Sequence, residues 1–331
     1  MSALPVGSLM VANEYVAQRA AILKENLEKW GMPDVIVTNG STDFLADATS
    51  LFDLIIADVP CSGEGMMRKD ATARQQWSPG LVTQCATLQR KIISDAIGAL
   101  RSGGHLIYST CTFNRHEDES NVEWICQEYD CETLPIPFLE GMRSPLTEEH
   151  CYRFAPHTTG SEGLFIALLR KRSGDERATK MKPRKIKSVD LKLIPWIDAT
   201  ALGDNEPVLF DHNGTIHLLS KQYMPLLGWL QEHVRIINAG VEVASAKAKG
   251  YVVEHGVALS TVYRRGYFPE VALSHEDAIK YLSRLTEPLP EAVKTGFVLM
   301  THANLPLGWI KNIGNRYNNL YPANYRVRVN N

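Results

Sequence analysis

Two short runs carry the residue types that covalent chemistry needs: Asp58-Val-Pro-Cys61-Ser-Gly-Glu-Gly65 and Tyr108-Ser-Thr-Cys111-Thr-Phe-Asn114. Each closes a strand-like stretch, Phe52 to Ala57 and His105 to Ser109. A run that ends on an acid, a proline and glycines reads as a buried strand delivering polar side chains to its carboxyl end, where open α/β sheets bind ligands. If the two strands are parallel neighbours, both thiols face one crevice. A lone cysteine is more often a buried small hydrophobe. Two of them at strand ends, each beside hydroxyls and one beside an acid, favour function. A thiolate is a strong nucleophile whose pKa its neighbours can lower, so nucleophilic catalysis is the chemistry to expect.

The elements that must position these residues follow from periodicity. Ser8 to Ala12 reads as a strand ended by Asn13 and Glu14, and apolar residues at Val16, Ala20, Leu23, Leu27 and Trp30 then mark one face of a helix, with Gly31 at its cap. Val35 to Val37 begins a second strand, closed by Asn39, Gly40 and Ser41. Ser78 and Pro79 suit the N-cap and first position of a helix with an apolar face at Leu88, Ile92, Ala96 and Leu100, ended by Gly103-Gly104. Asn121 to Glu128 is helical, and Gly163 to Leu169 is a late strand. Strand and helix alternate with short connections, so the first part of the chain reads as a doubly wound α/β domain.

From Arg170 to Lys187 the chain is basic and poor in large apolar groups, which reads as a linker or a solvated basic segment. Beyond it, Val208 to Leu219 is a hairpin around Asp211-His-Asn-Gly214. Val234 to Val243 and Tyr251 to Leu259 are strand-like, Glu276 to Leu285 is a helix, and Gly296 to Met300 and Gly308 to Lys311 are short strands. The C-terminal half is α+β and ends in a small β-rich module.

A chain of 331 residues with 44% hydrophobic and 22% charged residues is ordinary for folded domains and excludes global disorder. The net charge of -2 does not demand an anionic partner. No stretch is apolar enough to span a bilayer, and Met1-Ser-Ala-Leu-Pro5 lacks signal-peptide character, so a cytoplasmic location without membrane contact is expected. The six cysteines show no Cys-x-x-Cys spacing, which argues against a disulfide framework or a metal site. Cys85, Cys126, Cys131 and Cys151 read as structural, His105 and His116 as ordinary residues, and Glu117-Asp-Glu119 as a solvated helix start.

The two cysteine runs, with Arg68-Lys-Asp, Trp77-Ser-Pro, Arg153-Phe-Ala-Pro-His157 and Gly163-Leu-Phe165, resemble the paired motifs of the RNA cytosine-C5 methyltransferases, the Nol1/Nop2/Sun family. Lys249-Gly-Tyr, Val257-Ala-Leu259, Leu305-Pro-Leu-Gly-Trp-Ile-Lys311 and Asn319-Leu-Tyr-Pro322 resemble the tail of its bacterial RsmF-type branch, which acts on 16S rRNA. The resemblance implies a Rossmann-like domain over residues 1–172, a basic linker over 173–188, an α+β RNA-binding region over 189–262 and a PUA-like module over 263–331. It implies S-adenosylmethionine as cofactor, RNA of the small ribosomal subunit as partner and a monomer. By resemblance Cys111 attacks cytosine C6, Cys61 assists product release, and Asp58 holds the cytosine and borders the cofactor. Glu14 would accept the ribose hydroxyls, and Ser41 or Asp43 would stand near the adenine. The family also places a strand and a Gly-rich loop, Asp-x-Cys-Ala-Ala-Pro-Gly-Gly-Lys, before the segment matching Ser8 to Glu14. This chain begins after it. Weak cofactor binding is therefore expected, with a non-catalytic RNA-binding remnant as the alternative and a thiol-dependent hydrolase as a third reading that lacks a placed histidine.

Overall fold

A computed structural model describes residues 3–137, 142–143, 150–160, 162–175, 177–181, 187–248, 250–285 and 293–328. The chain divides into two compact units, Ser41–Lys180 on one side and Met1–Gly40 with Met181–Asn331 on the other. The N-terminal segment contributes β1 (Met10–Glu14), α1 (Ala17–Trp30) and β2 (Val35–Asn39). Gly31 ends α1 in the left-handed region at φ 76°, its N–H bonded to the carbonyl of Glu28. β1 and β2 run parallel.

The unit Ser41–Lys180 holds β3 (Phe52–Asp58), α2 (Ala71–Gln76), α3 (Pro79–Ile97), β4 (Leu100–Thr110), α4 (Glu119–Glu128), β5 (Cys131–Leu134), β6 (Met142–Arg143), β7 (Cys151–Phe154), α5 (Pro156–Thr159) and β8 (Leu164–Lys171). Its sheet runs β3-β4-β8-β7-β6, with β5 also on β8. β3 and β4 are parallel; β8 returns antiparallel along β4. Ser78 caps α3 by accepting from the Leu81 N–H, and Pro79 stands at its start, as the sequence suggested. The buried face of α3 is shifted, however, to Val82, Gln89, Ile93, Ala96 and Ile97, leaving Leu88 46% exposed. Leu100 is not in the helix. It opens β4, and Gly103-Gly104 form a bulge inside that strand, where Phe52 pairs with Leu100 but Leu54 with His105. Ile93, Ile97, Leu106, Tyr108, Val122, Ile125, Phe165 and Leu169 form the core between helices and sheet.

The basic stretch is largely exposed, as a solvated segment would be, but its first part is fastened to the unit. Lys171 ends β8, is buried, and donates to the carbonyls of Ile97 and Leu100, completing the C-terminal end of α3. Arg170 pairs with Glu132, Arg172 with Asp130 and Arg177 with Asp175. Thr179 exchanges hydrogen bonds with Thr49, so this segment is laid onto the unit. Residues 176 and 182–186 of that stretch, and Lys249 of the tail motif, lie outside the described residues.

The remaining elements belong to the other unit: β9 (Ser188–Val189), β10 (Pro207–His212), β11 (Thr215–Ser220), α6 (Met224–His233), β12 (Arg235–Ala239), β13 (Val241–Lys247), β14 (Gly250–Val253), α7 (His255–Leu259), β15 (Glu270–Ala272), α8 (His275–Leu282), β16 (Gly296–His302), β17 (Leu305–Asn312) and β18 (Tyr317–Asn319). The expected hairpin is β10–β11, its turn made by Asn213 and Gly214 at φ 55° and 84°. The strand expected through Leu259 stops at Val253 and becomes α7. Two sheets, β14-β13-β11-β10-β9 and β15-β16-β17-β18, follow one another along the chain.

The α/β character is as expected; the continuity of its sheet is not. β1 and β2 do not join β3. The outer edge of β2 takes β12 antiparallel, Asn39 opposite Arg235 and Ile36 opposite Ala239. A sheet extends only where facing edges exchange N–H and C=O groups, and β12 has met that requirement for β2. The buried Asp34 carboxylate, just before β2, ties it to the end of β11, accepting from the N–H and hydroxyl of Ser220 at 3.0 and 2.8 Å. The domain expected over 1–172 is therefore shared between two compact units.

Candidate active site

The parallel register sets Ala57 beside Tyr108 and Asp58 beside Ser109, so β3 and β4 reach the same rim before turning. The Val59 N–H bonds the Ser109 carbonyl at 3.1 Å, and the Gly65 N–H bonds the Cys111 carbonyl at 2.8 Å. Glycine is required at 65, since a Cβ there would lie 2.5 Å from the Cys111 carbonyl oxygen. The two turns bring Cys61 Sγ to 3.1 Å from Cys111 Sγ. Asp58 is exposed on the same rim and accepts from the Ser109 hydroxyl at 3.2 Å. The structure thus brings Asp58, Cys61 and Cys111 together.

The sulfur pair shares one proton unequally. The hydrogen bond between the two sulfurs lowers the Cys111 pKa to about 7 against the opposing effects of burial and of the Asp58 charge. The bond to the Cys111 sulfur and burial push Cys61 upward. The thiolate is therefore favoured at Cys111 and the thiol at Cys61.

Buried acids hold the two turns, and the sequence reading missed them. Glu117 is fully buried. Its Oε2 accepts from the Ser62 N–H at 2.9 Å and Gln89 Nε2 at 2.8 Å, and its Oε1 from Asn114 Nδ2 at 2.7 Å. Glu64 does the reciprocal work, accepting from the Thr112 hydroxyl and the Phe113 N–H, both at 2.7 Å, and from Trp77 Nε1 at 3.0 Å. An acid from the turn after Cys111 thus holds the Cys61 turn, and an acid from the turn after Cys61 holds the Cys111 turn. Asp118 accepts from the Thr110 hydroxyl at 2.7 Å and from Arg153, and burial pushes it up to about 8. The expectation of a solvated Glu117-Asp-Glu119 is overturned. A signal was present: Asp118 stands four residues before Val122 and seven before Ile125, on the apolar face of the coming helix.

The groups expected at the cofactor have the following partners within the chain. Glu14 ends β1, accepts from the Val16 N–H at 2.8 Å and pairs with Arg19 at 3.0 Å. Asp43 accepts from Ser41 at 2.9 Å and from Lys91 at 3.0 Å, which hold its carboxyl below the usual range.

Comparison with known proteins now identifies the family. A family model described as 16S rRNA methyltransferase RsmB/F matches residues 2–170, and one described as methyltransferase RsmF PUA domain matches residues 268–327. The chain is 33% identical over 327 residues to the ribosomal RNA small subunit methyltransferase F of Klebsiella pneumoniae (strain 342), covering 95% of this chain and 67% of the relative. It is also 33% identical over 332 residues to that of Escherichia coli O157:H7, with the same coverage. The chain belongs to the 16S rRNA methyltransferase RsmB/F family. Among solved structures, NSun6 from Pyrococcus horikoshii with SFG is 26% identical at a TM-score of 0.43, over 50% of this chain and 42% of that one.

Membership in the RsmB/F family places a methyltransferase match across residues that this structure divides between two sheets, and the cofactor can be tested against that division. A carboxylate such as Glu14 suits a ribose diol and Asp43 an adenine amine. Glu14 ends β1, in a sheet with β2 and β12, and Ser41, Asp43 and Asp58 belong to the unit Ser41–Lys180. Asp58, Cys61 and Cys111 all lie within the unit Ser41–Lys180.

Proposed function

We propose that the chain activates cytosine in RNA of the small ribosomal subunit for S-adenosylmethionine-dependent methylation at C5, through a covalent adduct with Cys111. The single observation that carries this reading is the sulfur pair at 3.1 Å on the rim that also bears Asp58. Cytosine C5 is a poor nucleophile. Addition of the Cys111 thiolate at C6 places a lone electron pair in conjugation with C5, which can then take up an electrophilic carbon. Restoring the aromatic ring requires loss of the C5 proton and cleavage of the C6–S bond, and the Cys61 thiol can return a proton to the departing Cys111 sulfur. Asp58, exposed beside both thiols, hydrogen-bonds the polar edge of the base. The match to a PUA domain supports an RNA substrate, and a base in structured RNA must first leave its stack, at a cost of a few kcal/mol.

The thiol half can be tested without a methyl donor. Addition and elimination at C6 exchange the C5 hydrogen with solvent, so small-subunit RNA incubated with the chain in heavy water should acquire deuterium at one cytosine. Cys111→Ala should abolish exchange, and Cys61→Ala should accumulate a denaturant-stable RNA–protein adduct. Exchange that persists in Cys111→Ala rejects the reading. The match to a PUA domain also supports a second reading, an RNA-binding protein without catalysis, for which both substitutions leave RNA affinity unchanged and no exchange occurs.

A further inference from the structure

We infer that Cys61 and Cys111 form a site of reversible oxidation by hydroperoxides, closing to a disulfide that removes the nucleophile from the rim. Their sulfurs already lie 3.1 Å apart, and a disulfide needs about 2.05 Å. The turns that carry them are held from both sides: the Ser62 N–H by Glu117, the Phe113 N–H by Glu64, and the Cys111 carbonyl by the Gly65 N–H. Small movements of the side chains close the remaining gap without unfolding either turn.

The chemistry divides between the two sulfurs. The Cys111 thiolate attacks a peroxide oxygen, the O–O bond breaks, and the leaving hydroxide takes up a proton as water. Cys111 is then a sulfenic acid. The Cys61 sulfur attacks it, the S–S bond forms as the S–O bond breaks, and the Cys61 proton leaves with the oxygen as a second water. Two thiols are oxidised by two electrons, and one hydroperoxide is reduced. The lowered pKa of Cys111 makes it the attacking sulfur, and the proton held on Cys61 keeps that sulfur as the resolving partner.

Three of the other cysteines are poorly placed to compete. Cys131 and Cys151 are buried in the core, and burial pushes the Cys131 thiol up to about 11. Burial and the Glu117 charge also raise the Cys85 thiol. Selectivity therefore follows from thiolate character and access.

The test uses the full chain, hydrogen peroxide in slight excess, alkylation after denaturation and peptide mass spectrometry. The expected result is a cross-linked pair of peptides containing Cys61 and Cys111, lighter by two hydrogens, restored by dithiothreitol. Cys61→Ser should leave Cys111 as a sulfenic acid that dimedone traps, and Cys111→Ser should slow peroxide consumption at least tenfold. The inference is overturned if both thiols stay alkylatable while a free thiol control is consumed, or if the cross-link involves Cys85, Cys126, Cys131 or Cys151. No methylation is measured, so loss of the functional proposal and loss of this one are separate outcomes: a thiol pair that never adds to a pyrimidine would still close.

Discussion

Two pairs of parallel strands in this chain end in polar rims, and the rims are built on different principles. At the β3–β4 rim, a buried and a half-buried carboxylate are turned inward and consumed by the turns: Glu117 and Glu64 take backbone and side-chain donors from both sides of the sulfur pair. At the β1–β2 rim the cross-links are neutral amides and a hydroxyl. Thr38 donates to Asn13, Asn13 to the Gly40 carbonyl, and Asn39 to the carbonyls of Glu14 and Tyr15. The acid there, Glu14, meets Arg19 at the surface. Only the first rim holds its reactive groups in one geometry, because buried charge-assisted bonds tolerate no vacancy whereas exposed pairs are replaced by water.

The largest expected effect therefore belongs to Glu117. Glu117→Ala leaves the Ser62 N–H, Gln89 and Asn114 without their acceptor in a buried site and should cost about 3 kcal/mol or more. Glu64→Ala, at a partly exposed position, should cost about half as much. All six cysteines lie in the unit Ser41–Lys180, so pulsed alkylation of the buried Cys131 and Cys151 against denaturant reads the stability of that unit alone. Equal costs for the two variants would break the distinction between buried and half-buried anchors.

This contrast also marks what could be read from the chain unaided. The strand ends, read at Ala57 and Ser109 and found one residue later at Asp58 and Thr110, the helix cap at Ser78 and the cap at Gly31 were legible because each depends on local chemistry. The meeting of Cys61 and Cys111 was legible because two strands of similar pattern, each followed by a thiol, share a rim once they are parallel. The role of Glu117 was hidden, since an acid triplet at a helix start looks the same in sequence whether water or a turn accepts it. The pairing of β2 with β12 was hidden for a different reason. Asn39 and Arg235 are partners across almost two hundred residues of intervening chain, and the periodicity of a strand does not name its neighbour.

A smaller effect concerns the sulfur pair itself. The rate of Cys111 alkylation should rise with pH through a midpoint near 7, because only the thiolate reacts and Cys61 stabilises that form. In Cys61→Ala the donor is gone and the midpoint should climb toward the ordinary thiol value of about 8.5. The sign is fixed by the geometry: a donor to the charged form lowers the pKa, so its removal raises it. A midpoint that stays put would mean that the two sulfurs do not share a proton, and Cys111 would lose its claim to be the nucleophile.

The smallest effect is expected at the other rim. Arg19→Ala removes a cation that is largely in solvent, while Glu14 keeps its bond from the Val16 N–H. An exposed pair of this kind contributes about 0.5 kcal/mol, and salt screens it over about 10 Å at ordinary ionic strength. Hydrogen exchange at the Val16 amide should therefore speed up only slightly, and the difference from the parent should fade as salt is added. The cost of Glu117→Ala should persist in the same salt, because its partners are backbone and amide groups within a buried network rather than mobile ions. If instead the Arg19 effect survived high salt, Glu14 would be held as firmly as Glu117, and the β1–β2 rim would have to be counted as a second built site.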